Sequence, residues 1–282
     1  MTASAIQTEK PLSDHKRQVG EFYDLLSPHF RKLWGEHLHD GFYKTGAESK
    51  EAAQEALVAY LAEFAGLPHG ARGLDIGCGM GATSVWLAKN LNSSMSGITL
   101  SATQVSIARE LAAREGVNAG FLQADAERFE PEQPFDFAWM VGVLGHFENQ
   151  QGFVRTAKRL VRRGARFLLA DWVAGPDLTL EDRECFVEPV LEGMLMPDIA
   201  SLQDYIEWFN GNGFRVLQTR DLTRETSKTW DQGLSILQAP EIVRMAWAAG
   251  RQAIGLLTAV RGMRTAMAKG MICYGILVAE RL

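Results

Sequence analysis

The sequence predicts an α/β protein, a mostly parallel seven-stranded sheet with helices on both faces and helical lid insertions. Three observations predict it. Short apolar strands alternate with helical patterns along most of the chain, one strand runs into a glycine-rich turn directly before a helix, and 282 residues at 46% hydrophobic composition can bury one large core. Alternation at this spacing implies right-handed crossovers and a sheet covered on both sides.

The first dozen residues, MTASAIQTEKPL, are polar with a proline and read as a frayed terminus. A helix beginning at Lys16 carries Phe22, Tyr23, Leu26, Phe30 and Leu33; the next segment, WGEHLHDGFYKTG (34–46), shows neither helical nor strand period, which predicts a structured loop. From Glu48 to Ala65 the helical period returns, with Ala53, Leu57, Leu61 and Phe64 on one face and Gly66 and Pro68 as the stop signal. Strands follow at 73–76, 94–98, 120–123, 135–141, 165–173, 214–219 and 271–279. The helix after the second strand is marked by Ser101 as its N-cap, by Gln104 three residues on as in a capping box, and by Leu100 with Val105 as a hydrophobic staple. Two stretches depart from the alternation: Pro176 to Asn212, rich in acids, methionines and prolines, and Thr223 to Lys269, long, helical and apolar. Both follow late strands, at the sheet edge where ligands bind, and both read as lids. The organisation is thus an N-terminal helical cap and access loop (1–70), a cofactor-binding core (71–173), a lid insertion (174–213), and the last two core strands with a long helical lid between them (214–282, the lid at 223–269).

A formal net charge of -5 argues against a nucleic-acid binder, which needs a basic face. Cys78, Cys185 and Cys273 are far apart with no CxxC spacing, so neither a disulfide framework nor a zinc site is expected. The apolar runs are strand-sized, which predicts no stable membrane insertion and a cytoplasmic protein.

The segment LDIGCGMGATSVWLA (74–88) places Gly77, Gly79 and Gly81 in the first strand-to-helix turn, the floor of the ligand crevice in an open α/β sheet. Glycine there permits positive φ and close approach of a ligand, beside the free N–H groups of the following helix. The spacing is GxGxG, yet Ala82 would satisfy the third place of a dinucleotide fingerprint, so spacing alone leaves a nicotinamide site and a merely structural turn open. The acids discriminate. Asp75, inside the strand, can order the loop by accepting backbone N–H bonds; the second strand ends in GITLSATQ (97–104) with no acid for a nicotinamide ribose; the third ends in QADAE (123–127), suited to an adenine edge.

Together LDIGCGMGATSVWLA, GITLS..Q, QADAE and FDFAWMV resemble a class I S-adenosylmethionine-dependent methyltransferase, with its Rossmann-like sheet. FYDLLSPHFRKLWGEHLHDGFYKTG and GITLSATQ are similar more specifically to the gamma-tocopherol methyltransferase group and its small-molecule relatives, with mycolic acid cyclopropane synthases as more distant kin. The resemblance runs from about Phe22 to Val173 and resumes at the C-terminal strand. It implies that S-adenosyl-L-methionine is the cofactor, with S-adenosyl-L-homocysteine as product. Gly77, Cys78 and Gly79, with Asp75 and Val141 beside them, are implied to line the methionine moiety and Tyr23 to close over the cofactor. Thr99, Leu100 and Gln104 fall at the ribose in place of the usual acid, and Asp125, Ala126 and Glu127 bracket the adenine.

A sulfonium methyl is already activated, so the protein must chiefly align an acceptor and exclude water. His146, in GVLGHFENQ, lies after the fourth strand and matches the family's EHMPD histidine; it is the candidate base, with His37 as a second catalytic candidate. Where the tocopherol enzymes read ESGEH this chain reads GVLGH, with Gly142 and Gly145 in place of both carboxylates, which puts the same substrate in doubt. The HxH of Glu36-His37-Leu38-His39-Asp40 offers two metal ligands without a third, and no metal is expected. Phe42, Tyr43, Trp139, Trp172, Phe186, Tyr205, Trp208, Phe209 and Trp230 are expected around cleft and lids, most of them as core. Met194, Leu195, Met196, Trp208, Met245, Trp247, Leu256, Leu257 and Met263 in the lids favour an apolar acceptor pocket, or equally a homodimer face. The expected function is therefore methyl transfer to a carbon or nitrogen of an apolar, aromatic, cyclic or prenylated small molecule in secondary metabolism. Two alternatives stay open: a nicotinamide-dependent reductase, for which the Tyr-x-x-x-Lys pair is missing, and a non-catalytic interaction protein that retains the fold.

Overall fold

The computed structural model describes residues 11–282; the expected frayed terminus lies almost wholly outside the described residues. In chain order the elements are α1 (Asp14–Leu33), α2 (Lys50–Ala65), β1 (Arg72–Ile76), α3 (Ala82–Asn90), β2 (Ser94–Thr99), α4 (Ala102–Glu115), β3 (Ala119–Gln123), β4 (Phe135–Val141), α5 (Gln150–Ala157) and β5 (Val161–Ala174). There follow α6 (Leu180–Asp182), α7 (Glu188–Gly193), α8 (Leu202–Gly211), β6 (Phe214–Asp221), α9 (Thr223–Thr226), α10 (Lys228–Ile236), α11 (Pro240–Ala249), α12 (Arg251–Ala268) and β7 (Ile272–Arg281).

The seven strands form one sheet in the order β3-β2-β1-β4-β5-β7-β6. Neighbours from β3 to β5 pair parallel, and β7 alone runs antiparallel, against both β5 and β6. The chain winds outward from β1 to β3 and then restarts at β4 on the other side of β1, so the order reverses between β1 and β4 and opens a crevice there. Burial alternates with the pleat: Leu168 and Ala170 of β5 pack with Leu57 and Leu61 of α2 and Met263 of α12, while Phe167 and Leu169 pack with Phe153 of α5 and Phe209 of α8. The central strands are thereby apolar on both sides and read as near-continuous hydrophobic runs, whereas the edge strands β3 and β6 are largely exposed.

Boundaries follow local chemistry. Helix α1 starts at Asp14, two residues before the expected Lys16, because Ser13 caps it by accepting from Lys16 N at 3.3 Å. Gly66 ends α2 with φ +58°, the left-handed turn that a glycine C-cap supplies. Ser101 caps α4 by accepting from Gln104 N at 3.0 Å, but Gln104 does not complete the capping box. Its side-chain oxygen accepts instead from Thr99 Oγ1 at 2.7 Å. Strand β5 starts four residues earlier than expected because Val161 pairs with Phe135 of β4, ahead of an irregularity in that ladder.

The stretch 174–213 divides. Its first part, through α7, packs against α12, whereas α8 returns to the sheet and buries Tyr205 and Phe209 beneath it, with Phe209 edge-on to Phe167 and Phe214. The apolar stretch 223–269 is helical as four segments, α9 to α12, with breaks at Ser227, at Ala239 before Pro240, and at Gly250, whose φ is +51°. Among the described residues, no helix is long and apolar enough to cross a membrane.

Candidate functional site

A cavity of about 260 Å³ lies over the carboxyl ends of the strands, between the sheet and the lids. Its floor is the β1–α3 turn, where Gly77, Gly79 and Gly81 all have positive φ, of +70°, +51° and +85°. The three glycines differ in cause. A Cβ on Gly77 would meet Val143 at 2.4 Å and one on Gly81 would meet Ala108 at 2.6 Å, so packing requires both. At Gly79 the nearest atom is Leu38 Cδ1 at 3.6 Å, so only the backbone conformation and the open cavity in front of it require glycine.

Along the β2 and β3 ends the cavity is lined by Thr99, Leu100, Gln104, Ala124, Asp125 and Ala126. Lys16, which the sequence reading passed over, also lines this end and bonds Asp125 Oδ2 at 2.8 Å and Glu127 Oε2. Burial alone would lower the lysine's pKa, but these two carboxylates outweigh it and raise it. Asp75, Cys78 and Glu127 do not line the cavity. Asp75 is buried beneath the turn and accepts from the Ser84 hydroxyl at 2.6 Å, not from the backbone N–H groups expected; burial pushes its carboxyl up to about 7. It therefore ties β1 to α3 and holds the turn from below.

His146 ends a short 3-10 turn, Leu144–His146, after β4. Its Nδ1 lies 3.1 Å from the Leu195 carbonyl, which can only accept, so Nδ1 carries the proton and Nε2 presents a lone pair. Tyr23 Oη, 3.0 Å away, donates to that lone pair. Burial holds the imidazole neutral, its pKa lowered to about 4, and pushes the Tyr23 phenol up to about 12. The turn is fixed by Asp171 on β5, whose Oδ2 accepts from Val143 N at 3.0 Å and Leu144 N at 2.7 Å. Asp171 also lines the cavity, with burial raising its pKa to about 6. A lone acid inside the apolar run ARFLLADWV was the signal for it. In the substituted GVLGH segment Gly142 has a backbone reason, with φ +67°, whereas a Cβ on Gly145 would displace the flexible methyl end of Met196.

His37 does not line the cavity, contrary to a catalytic role in contact with substrate. Its Nδ1 is 3.0 Å from His39 Nε2, and His39 Nδ1 donates to the Asp40 carbonyl at 2.7 Å, a relay that fixes the access loop. Burial lowers the pKa values of His37 and His39 to about 3 and about 4. Among the described residues, no group of three or more His, Cys, Asp or Glu is placed to hold a metal ion.

The lid side of the cavity is apolar. Met194 and Met196 beyond α7, Ile242 and Met245 of α11, and Leu256 and Leu257 of α12 face Phe22 and Phe30 of α1, with Trp172 and Trp230 behind. Of the other expected pocket residues, Trp139, Tyr205, Phe209 and Met263 are core, and Trp247 points to solvent at 89% exposure.

An open α/β sheet with a left-handed glycine turn at its switch point and one cavity that joins a polar edge along β2 and β3 to an apolar lid lining defines a cofactor-dependent enzyme acting on a small molecule. Residues 74–164 match a family described as a methyltransferase domain. Over 217 residues the chain is 30% identical to 27-O-demethylrifamycin SV methyltransferase of Amycolatopsis mediterranei (strain S699), covering 76% of this chain and 79% of that protein. It is 28% identical over 235 residues to a probable chloroplastic tocopherol O-methyltransferase of Oryza sativa subsp. japonica, covering 76% of this chain but only 64% of the rice protein, less than two thirds. The crystal structure of the cyclase SpnF superposes with a TM-score of 0.81 at 26% identity, covering 98% of this chain and 99% of that one. The chain belongs to the class I S-adenosylmethionine-dependent methyltransferases, and S-adenosylmethionine is the cofactor of that family.

Proposed function

We propose that this protein transfers the methyl group of S-adenosylmethionine to an apolar small molecule held under the lids, in secondary metabolism. The observation that carries the reading is a single cavity shared by the Gly79 turn, the neutral His146 imidazole and the apolar lid lining. The cofactor supplies an electrophilic methyl on sulfur. The residues present fit it: Gly79 leaves the floor open, Thr99, Leu100 and Gln104 offer a polar edge without a charge, and Asp125 with Ala126 bounds the far end. Tyr23 and Val141 close that space from α1 and β4.

His146 keeps an unprotonated Nε2 across the neutral range, so it accepts a proton from an acceptor that takes the place of the Tyr23 hydroxyl. Asp171 and the Leu195 carbonyl hold the ring's tautomer and orientation. The apolar lids exclude water, which competes with the acceptor for the methyl group. The names of the rice and Amycolatopsis relatives support hydroxyl oxygen as the methylated atom, beside the carbon or nitrogen that the sequence reading favoured. Family membership removes the support for a nicotinamide reductase.

Calorimetric titration with S-adenosylhomocysteine beside NADH tests the cofactor: binding of the former alone is expected, and binding of NADH alone would overturn it. The near full-length likeness to SpnF favours a second reading, cyclisation in the same cavity. The two separate by product mass, since methylation adds one methylene to the acceptor and cyclisation leaves its mass unchanged.

A further inference from the structure

Four residues that line the cavity each carry a buried polar atom without a hydrogen-bond partner: Asp40 Oδ1, Trp34 Nε1, Trp230 Nε1 and Tyr274 Oη. Leaving a buried polar atom unpaired is costly, so several gathered in one place point to a ligand that completes them.

They are gathered. Asp40 Oδ2 accepts from Trp172 Nε1 at 2.8 Å; Trp172 lies edge-on to Trp230 with ring centroids 5.4 Å apart, and Trp34 lies 6.3 Å from Trp230. Tyr274 on β7 is the register partner of Trp172 on β5. The Trp230 indole and the Thr229 side chain face the Asp40 carboxyl and offset part of its burial, without completing a hydrogen bond of ordinary geometry to Oδ1. The His37–His39 relay ends on the Asp40 carbonyl and fixes the backbone that presents this side chain.

The position in the sheet sets a distance. The glycine turn follows β1 and His146 follows β4, whereas this cluster sits at the ends of β5 and β7, one and two strands beyond β4. At strand spacing Trp172 and Tyr274, which back the cluster, stand roughly 5–10 Å across the sheet from the β4 end, on the side away from β1 and the Gly79 turn.

We propose that Asp40, with the Tyr274 hydroxyl and the Trp34 and Trp230 indole N–H groups, is the seat for a second oxygen function of the acceptor, a hydroxyl that donates to Asp40 about two rings' length from the methylated atom. The acceptor is then an oxygenated apolar molecule carrying polar groups at both ends, such as a diol or hydroxyquinone, and not a plain prenyl or hydrocarbon chain. The seat rests on the methyltransferase reading for the position of the reacting atom. Asp40 positions the acceptor and takes no part in the bond exchange.

The test is calorimetric binding of 4,4′-biphenol and of 4-phenylphenol, which lacks one terminal hydroxyl, to the full chain saturated with S-adenosylhomocysteine. Wild type should prefer the diol by roughly tenfold, the worth of one hydrogen bond to a buried carboxyl. Asp40→Leu should erase the preference, and the near-isosteric Asp40→Asn should reduce it at least threefold, both with unchanged S-adenosylhomocysteine affinity as the control for folding. Equal affinities in wild type, binding of neither phenol, or a preference that survives in Asp40→Asn would each overturn the seat. Failure of wild type to bind S-adenosylhomocysteine would instead overturn the methyltransferase reading.

Discussion

At the scale of single residues, the proposed chemistry rests on groups kept neutral by burial. His146→Ala should abolish turnover while leaving S-adenosylhomocysteine binding within about twofold; retained turnover, measured by methyl incorporation, would remove it as the base. Gly79→Asp forces a side chain into a backbone at φ +51° and into the open cavity floor, so cofactor affinity should fall at least tenfold by calorimetry. Asp40 has its carboxyl pushed up to about 7 from an ordinary 3.8 by burial. A carboxyl raised in this way is protonated in the native state over that interval and ionised in the unfolded state. It therefore costs stability progressively as pH rises from about 4 to 7, and the full cost remains above 7. Asp40→Asn should thus gain stability relative to wild type at pH 8, on the order of a few kcal/mol in urea denaturation, and little at pH 4. Of these residues His146 and Gly79 were legible in the sequence, because a strand end and a glycine turn announce themselves locally. Asp171 left a local signal, a lone acid in an apolar strand, but its partners, 27 residues away, gave its role no local sign, and Lys16, whose partner lies 109 residues away, left no signal.

At the scale of elements, α11 shows how one helix serves two environments. Met245 is 1% exposed and faces the cavity, whereas Trp247, two residues on, is 89% exposed. Two residues on a helix are about 200° apart, so apolar content alone could not say which one lines the pocket. Met245→Ala should cost about 2–5 kcal/mol, as deletion of buried side chains does, and Trp247→Ser no more than about 0.5 kcal/mol in thermal or urea unfolding. A large loss at Trp247 would mean that a second copy covers this face, which sedimentation at the same concentration would reveal. The capping box at α4 carries a similar lesson. Ser101 caps as its position implies, but Gln104 turns to Thr99 because a buried hydroxyl needs a partner more than an N-terminus already capped needs a second one.

At the scale of the whole molecule, two sets of buried groups oppose each other. His37, His39 and His146 have pKa values lowered to about 3, 4 and 4 from 6.5, so the unfolded chain binds their protons first and they destabilise the fold as pH falls below about 6.5. Asp40, Asp75 and Asp171 are raised to about 7, 7 and 6, so the native chain binds their protons first and they stabilise the fold as pH falls. Three groups on each side nearly cancel, and unfolding free energy should be close to flat between about pH 4.5 and 6.5, falling above that as the carboxyls ionise in place. Removing one carboxyl in Asp40→Asn should uncover the histidine slope and make the variant lose stability toward acid across that window. A wild-type curve that drops steeply between pH 6.5 and 4.5 would show that the carboxyls do not offset the histidines.

Fold class, the glycine turn, the caps at Ser101 and Gly66, and the apolar character of the lids were fixed by local pattern. Hydrophobic period, turn residues and capping residues act within a few positions of the chain, so they can be read without knowing what packs on them. Tertiary structure alone decided that β7 inserts antiparallel between β5 and β6, that Lys16 seats on Asp125, that His37 relays to His39, and that Asp40 stands among Trp34, Trp172, Trp230 and Tyr274. Each of these depends on groups far apart in sequence meeting where water is excluded, and there the energy of a polar atom is set by its neighbours and not by its place in a motif.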